Sequence, residues 1–334
     1  MKITMKDIAV QSGVALGTVS NYFNGNKIKK ENEEKIEKVI KDLNYKPNNI
    51  GKYLAQGCTK TVGIITNNLN SSFFTKVIIS LDGYLTSIGY NTIICNSNNN
   101  LKIEKQKLDF MSGQLVDAVI LFPIGYTSTK IPSFFNNKNL ILADKLIKNS
   151  YFNAVILDNK KSCYEATIRF IKNGHKNIAF LGGDPDSYTM LERLAGYKKA
   201  LKDHNIPVNE EIIFKGEYTE EAGYAMANCT LDLKFGVTAF ILTNHHILPG
   251  VLHAIDKRKL NIPEDFSYIV FEEHEFSNLI RPTPSSVIQP SKEMGMALGE
   301  LIIKTINSET TDDKTVIKLE TKLHITDSIG TVKE

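Results

Sequence analysis

TMKDIAVQSGVALGTVSNYFNGN, residues 4–26, opens the chain with two short amphipathic segments on either side of a glycine. Thr4 followed by Asp7 fits a capping box, in which side chains satisfy the backbone donors that a first helical turn leaves unpaired. Ile8 and Ala9 fall on one face of the helix that begins there. Gly13 suits the left-handed residue that ends it. Val14, Val19 and Phe23 then recur at roughly helical spacing and supply the apolar side of a second short helix. Helix, glycine turn and helix make a helix-turn-helix, which can lay its second helix in the major groove of DNA. From spacing alone a plain helical hairpin fits equally well, because such turns recur in many folds.

Working outward, a third helix is expected from about Glu31 to Leu43, where Ile36, Val39, Ile40 and Leu43 repeat every three or four residues. Pro47 cannot continue it. Residues 1–57 hold ten Lys and six acidic residues, a balance of +4, whereas the rest holds 30 basic and 31 acidic residues, a balance of −1. The excess positive charge therefore sits on the small amino-terminal piece, as phosphate contacts with DNA would require. A solvated Lys-rich face would look the same. Only four of the 40 basic residues are Arg, so Asn clusters such as Asn96 to Asn100 reflect composition and loop preference before function.

The 334 residues predict two or three compact units at roughly 150 residues each. No apolar run reaches the roughly 18 residues that span a bilayer. The start, MKITMKD, carries no apolar secretory segment, so a cytoplasmic protein is expected. Cys58, Cys95, Cys163 and Cys229 form no CxxC pair and read as reduced, mostly packed thiols.

From Thr61 the pattern changes to apolar strands alternating with amphipathic helices. Strands are expected at 61–66, 91–95, 117–122 and 139–143, with helices near 73–88 and 102–114. A second series has strands at 177–182, 211–215, 237–242 and 267–271, with helices near 160–173, 189–204, 220–233 and 246–258. Such alternation indicates βαβ units and parallel sheets. Two series suggest two lobes and a cleft, and ligands favour the carboxyl ends of such strands. A last helix near 291–307 and strands at 315–319 and 322–326 close the chain. Two readings compete for this part: a nucleotide-dependent enzyme and a binding module. No GxGxxG, GxxxxGK[ST] or GxSxG follows any strand. Gly182-Gly183-Asp184 fits an ordinary tight turn. His245, His246 and His253 lack an acidic partner at ligand spacing, and adjacent His residues on a helix should point apart, so no metal site is expected.

The amino-terminal stretch resembles the headpiece of the LacI/GalR family of transcriptional regulators. The matching residues are Asp7-Ile8-Ala9, Gly13-Val14, Thr18-Val19-Ser20 and Asn24-Gly25-Asn26. The likeness runs on through Gly63-Ile64-Ile65, Phe73-Phe74, Asp117, Asp158-Asn159, Gly174-His175, Ile178-Ala179-Phe180, Glu192-Arg193 with Gly196-Tyr197, Gly223-Tyr224, Thr243-Asn244, Ile262-Pro263-Glu264-Asp265 and Gln289-Pro290. It implies a small all-α helix-turn-helix headpiece, residues 1–46, and a hinge helix or linker, residues 47–59. Behind them it implies an α/β two-lobed, periplasmic-binding-protein-like core, residues 60–334. Lobe one would take about 60–158 plus 290–320, and lobe two about 159–289 plus 321–334. The implied protein is a repressor that binds a near-palindromic operator as a homodimer, with no cofactor. Its operator affinity answers to a small effector, a sugar or related metabolite, between the lobes.

Residue by residue, the resemblance assigns DNA contacts to Thr4, Leu16, Gly17, Thr18, Ser20, Asn21, Asn24, Tyr45, Asn48 and Leu54. Leu54 matches the hinge Leu that wedges into a minor-groove step. Effector contacts fall to Phe73, Phe74, Asp144, Arg193, Tyr218, Asn244 and Glu272. Arg193 suits a forked donor to hydroxyls or a carboxylate; a salt bridge with a nearby acid is its ordinary alternative. Phe73 and Phe74 can stack on a ring, although core packing is expected for one of them. Asn244 can also cap a helix. No leucine-heptad tail for tetramers follows.

Several positions depart from the family pattern. Asn21 stands where many members have Arg, and Asn pairs with adenine where Arg prefers guanine. Ala15 and Lys29 replace capping serines. Gly51 weakens the hinge helix. In the core, Ser71-Ser72 replaces Asn-Pro, His245 replaces Asp, and Val270-Phe271-Glu272-Glu273 replaces Gly-Phe-Asp-Asp. Glu272 keeps an acceptor but adds a methylene, which changes what a tight pocket admits. A core that answers to a protein or phosphoprotein partner is a second reading, and an α/β enzyme a third.

Overall fold

The structure is a computed structural model that describes residues 3–23, 25–45, 58–136, 139–233, 235–272, 276–307 and 314–332. Asn24, Asn48, Leu54, the expected hinge helix and Glu273 lie outside the described residues. The chain divides into two compact units, Met1–Thr59 and Lys60–Glu334.

The first unit contains α1 (Met5–Ser12), α2 (Leu16–Phe23) and α3 (Lys30–Asp42). The capping box forms: the Asp7 carboxylate accepts from the Thr4 N–H at 2.8 Å and from its hydroxyl at 2.7 Å. Gly13 ends α1 in the left-handed region, φ 67°, where a side chain would be strained. Ile8, Val14, Val19, Ile36 and Tyr45 are buried together, with Phe23, Val39, Ile40 and Leu43 packed around them. Lys29 precedes α3 without a side-chain cap.

The second unit carries two six-stranded sheets. The first is built from β1 (Thr61–Thr66), β2 (Asn91–Asn96), β3 (Ala118–Leu121), β4 (Leu140–Asp144), β5 (Asn153–Leu157) and β11 (Val316–Leu319). Its order is β11-β5-β4-β3-β1-β2, with every pairing parallel. The second holds β6 (Ile178–Gly182), β7 (Ile213–Lys215), β8 (Ala239–Leu242), β9 (Ser267–Phe271), β10 (Ser285–Ile288) and β12 (Lys322–His324). Its order is β12-β10-β9-β8-β6-β7, parallel except for β10 with β12.

Central strands such as AVIL (118–121), IAFLG (178–182) and AFIL (239–242) are buried along their whole length. Helices on both faces require this, and it is why the strands read as unbroken apolar runs. α4 (Ser72–Ser87) and α10 (Ser291–Asn307) pack on one face of the first sheet, and α5 (Leu101–Gly113) on the other. On the second sheet, α6 (Asn159–Lys172) and α7 (Tyr188–Asp203) cover one face, and α8 (Glu220–Asp232) and α9 (Leu248–Lys257) the other. The chain passes between the lobes at 157–159, 288–291 and 319–322.

Two strands differ from expectation by being present at all. β5, NAVIL, is short and lies next to the loop-like 145–152. β10 begins with two serines, which read as polar, but both are buried; Ser285 donates its N–H to Ser328 Oγ and exchanges hydrogen bonds with Thr326. The strand expected at 211–215 starts later, because Glu210–Ile212 form a 3-10 turn capped by Asn209. The helix expected at 246–258 likewise begins with a 3-10 turn, His245–Ile247.

Candidate functional site

In the first unit, α2 buries Val19 and leaves Leu16, Gly17 and Asn21 exposed. Residues four apart share a helix face. Leu16 with Ser20, and Gly17 with Asn21, therefore make one continuous strip, with Thr18 at its margin. Nothing lies within 4 Å of the position a Gly17 side chain would take. Thr4 is exposed at the start of α1. Tyr45 is not part of this strip: it is 9% exposed, with its ring 5.7 Å from that of Phe23.

In the second unit a cavity of about 750 Å³ opens between the two sheets. Its walls come from segments that leave the carboxyl ends of strands: Asn67 after β1, Asp144 ending β4, Tyr218 after β7, Asn244 after β8 and Glu272 after β9. All seven residues assigned to effector contact line it: Phe73, Phe74, Asp144, Arg193, Tyr218, Asn244 and Glu272.

Arg193 is buried on α7. Its Nε donates to Asn159 Oδ1 at 2.8 Å, its Nη1 to the Thr243 carbonyl, and its guanidinium lies 4.1 Å from the centre of the Phe271 ring. Neither acceptor is an acid, so the fork is oriented by neutral oxygens, and two of its five N–H donors are used. Tyr218 shares a hydrogen bond with the Thr243 hydroxyl at 3.1 Å, and burial pushes its phenol up. Asn244 caps the 3-10 turn through the His246 N–H at 2.8 Å while lining the cavity. Phe73 is the core member of its pair. Phe74 is half-buried and packs edge-on against Phe122 at 5.1 Å.

Asp144 is buried with a left-handed φ of 65°. Burial raises its pKa above the ordinary value, with Lys145 and Arg193 opposing the rise. Burial lowers the Lys145 ammonium, opposed by Asp144 and Glu104. Two further wall residues were not anticipated. The side-chain oxygens of Asn67 and Gln289 are buried acceptors with no donor among the described residues. Gln289 lies inside a matched motif, which was its one sequence signal.

The lobes touch at both rims of the cavity. At one rim Glu272 Oε1 accepts from the Ser72 hydroxyl at 2.8 Å and the Phe73 N–H at 2.9 Å, and Oε2 lies 3.1 Å from His245 Nδ1. Burial would raise Glu272, but these donors outweigh it and hold the carboxylate below its ordinary pKa. At the other rim Asp186 accepts from Thr127 N at 3.0 Å, Ser128 N at 3.2 Å and the Ser128 hydroxyl at 2.5 Å. His245 and His246 do not point apart as expected. Their rings lie tilted against each other with centres 4.0 Å apart, at the start of a 3-10 turn and not inside an α-helix. Among the described residues no three His, Cys, Asp or Glu side chains group as a metal site, and no helix is long and apolar enough to cross a membrane.

A helix-turn-helix unit followed by a two-lobed core of the periplasmic-binding type is the build of DNA-binding transcription regulators. The family model for bacterial regulatory proteins of the lacI family matches residues 4–48, and that for a periplasmic binding protein-like domain matches residues 168–329. Catabolite control protein A of Priestia megaterium is 30% identical over 95% of this chain and 96% of its own length. The chain belongs to the LacI family of transcription regulators. Its fold matches the lac repressor dimer bound to operator and an anti-inducer, with TM-score 0.84 at 19% identity, over 98% of this chain and 99% of that one. A CelR–cellobiose complex matches with TM-score 0.74 at 24% identity over the same shares. The relatives are transcription regulators, not enzymes.

Proposed function

We propose that this chain is a repressor whose affinity for a near-palindromic operator, bound by a homodimer, is set by a hydroxyl-bearing small molecule held in the cavity between the lobes. A sugar or related metabolite fits this chemistry. The carrying observation is the pair of buried acceptors without donors, Asn67 Oδ1 and Gln289 Oε1, in a wall that also offers the Arg193 donors and the Phe74 ring. Buried acceptors are ordinarily satisfied, and ligand hydroxyls would satisfy these. A half-buried aromatic face can stack on the apolar side of a ring. In this reading Arg193, Asp144 and Asn244 orient the hydroxyls, and Tyr218, Phe73 and Phe74 shape the wall. Glu272 closes one end. The exposed strip of α2 reads the operator, with Thr4 exposed at the start of α1, and Tyr45 joins the interface by its match to the family. Asn24, Asn48 and Leu54 belong to the same interface by their match to the family. A cytoplasmic location follows from an operator as target.

The ligand shifts operator affinity only if it prefers one lobe arrangement. A thermal-shift screen of sugars, sugar phosphates and nucleobases tests the reading, because a specific ligand raises stability by mass action. A hit should raise Tm in the wild type, lose its effect in Arg193→Ala, and change operator affinity in a mobility-shift assay. If no small molecule shifts Tm while a protein or phosphoprotein changes operator affinity, the cavity is not the sensor.

A further inference from the structure

We propose that Ser72, His245 and Glu272 form a latch that holds the two lobes closed on each other before any effector binds. The three residues come from three separate stretches, and each stands where the chain departs from the pattern of its family. The fold brings all three departures to one point. Ser72 opens α4 in the first lobe, whereas His245 and Glu272 follow β8 and β9 in the second. Glu272 spans the gap, taking the Ser72 hydroxyl and the Phe73 N–H on one oxygen and facing His245 Nδ1 with the other.

The chemistry of each member fits a latch better than a ligand contact. Phe73 is the second residue of α4, so its N–H has no acceptor within the helix. Glu272 supplies that acceptor from the other lobe, at the helix end that favours negative charge. A proline at position 72 would offer no hydroxyl, and serine does. Glu272 holds a left-handed φ of 72°, which a non-glycine residue keeps only where its surroundings impose it. A carboxylate has roughly four acceptor positions; protein donors occupy two, and His245 Nδ1 faces a third at 3.1 Å. Little of Glu272 is left for a ligand. The consequence rests on the reading of the cavity as an effector site: selection falls to the wall formed by Asn67, Asp144, Arg193 and Gln289, and the effector need not supply the contacts that close the lobes.

The test needs neither effector nor DNA, so it can fail independently of that reading. Amide hydrogen exchange resolved to single residues is measured on the full chain, after dialysis to remove carried-over small molecules. The reporters are Thr127 and Ser128, whose N–H groups bond to Asp186 at the opposite rim and touch none of the latch residues. In the wild type both amides should exchange slowly. In Glu272→Ala they should exchange at least tenfold faster, and the radius of gyration from small-angle scattering should rise. Ser72→Ala should move both readouts in the same direction by less. A cooperative melt confirms that each variant is folded, and should Glu272→Ala fail to fold, Ser72→Ala decides on the same reporters. Wild-type amides as fast as the variant's, or reporters unmoved by a folded variant, would overturn the latch.

Discussion

Gly183 sits directly under the Tyr218 ring, and any Cβ there would overlap it. Read in sequence, Gly182-Gly183 fits a tight turn; in the fold the second glycine makes room for an aromatic wall of the cavity. Gly183→Ala should cost about 1–3 kcal/mol, the usual penalty for overpacking, and displace Tyr218. The expected result is a Tm several degrees lower together with weaker effector binding by calorimetry. Asp144 carries a different prediction. Burial raises its pKa above the ordinary 3.8, so ionising it disfavours the folded state. The unfavourable contribution is present at neutral pH and shrinks as pH falls through the folded-state value. Asp144→Asn should therefore raise Tm at pH 7, with the gain fading in acid, while effector affinity drops. A melting series from pH 7 downward checks the sign. Glu272 runs the opposite way. Its pKa lies below the ordinary 4.5, so its stabilisation is present above that value and is lost as pH falls through the folded-state pKa.

At the scale of elements, helices were legible from sequence and strands less evenly so. α3 and α10 announce themselves by apolar spacing, because one face of each is buried and the other wet. The central strands have no wet face, so their signal is an apolar run alone. β5 and β10 were missed: β5 follows a loop-like stretch, and β10 begins with two serines that read as polar although both are buried. The recognition strip of α2 was legible because exposure follows from helical period. Asn21 is exposed on it. Asn21→Ala should change the ranking of operator variants at one base pair per half-site, by about 1–3 kcal/mol in discrimination. The salt dependence of binding should stay the same, because no phosphate-neutralising charge is removed. Competition binding over single-base operator variants measures both.

For the whole molecule, the division at Thr59–Lys60 separates a unit with its own buried apolar cluster from a larger one with four. A fragment of residues 60–334 should therefore melt cooperatively and keep effector binding, yet show no preference among DNA sequences. Calorimetry and mobility shift on the fragment test this. The sequence by itself determined the helices and all strands but β5 and β10, the basic front end, the membership of the family and seven of the residues that line the cleft. Each of these is carried by local period, charge or a run of matched positions. Only the tertiary structure decided how those residues spend their hydrogen bonds. Arg193 is held by Asn159 and Thr243, Asn244 caps a turn, and Glu272 reaches from one lobe to the other. The physical reason is that a hydrogen bond is fixed by distance and direction in space, and Ser72 and Glu272 are 200 residues apart along the chain.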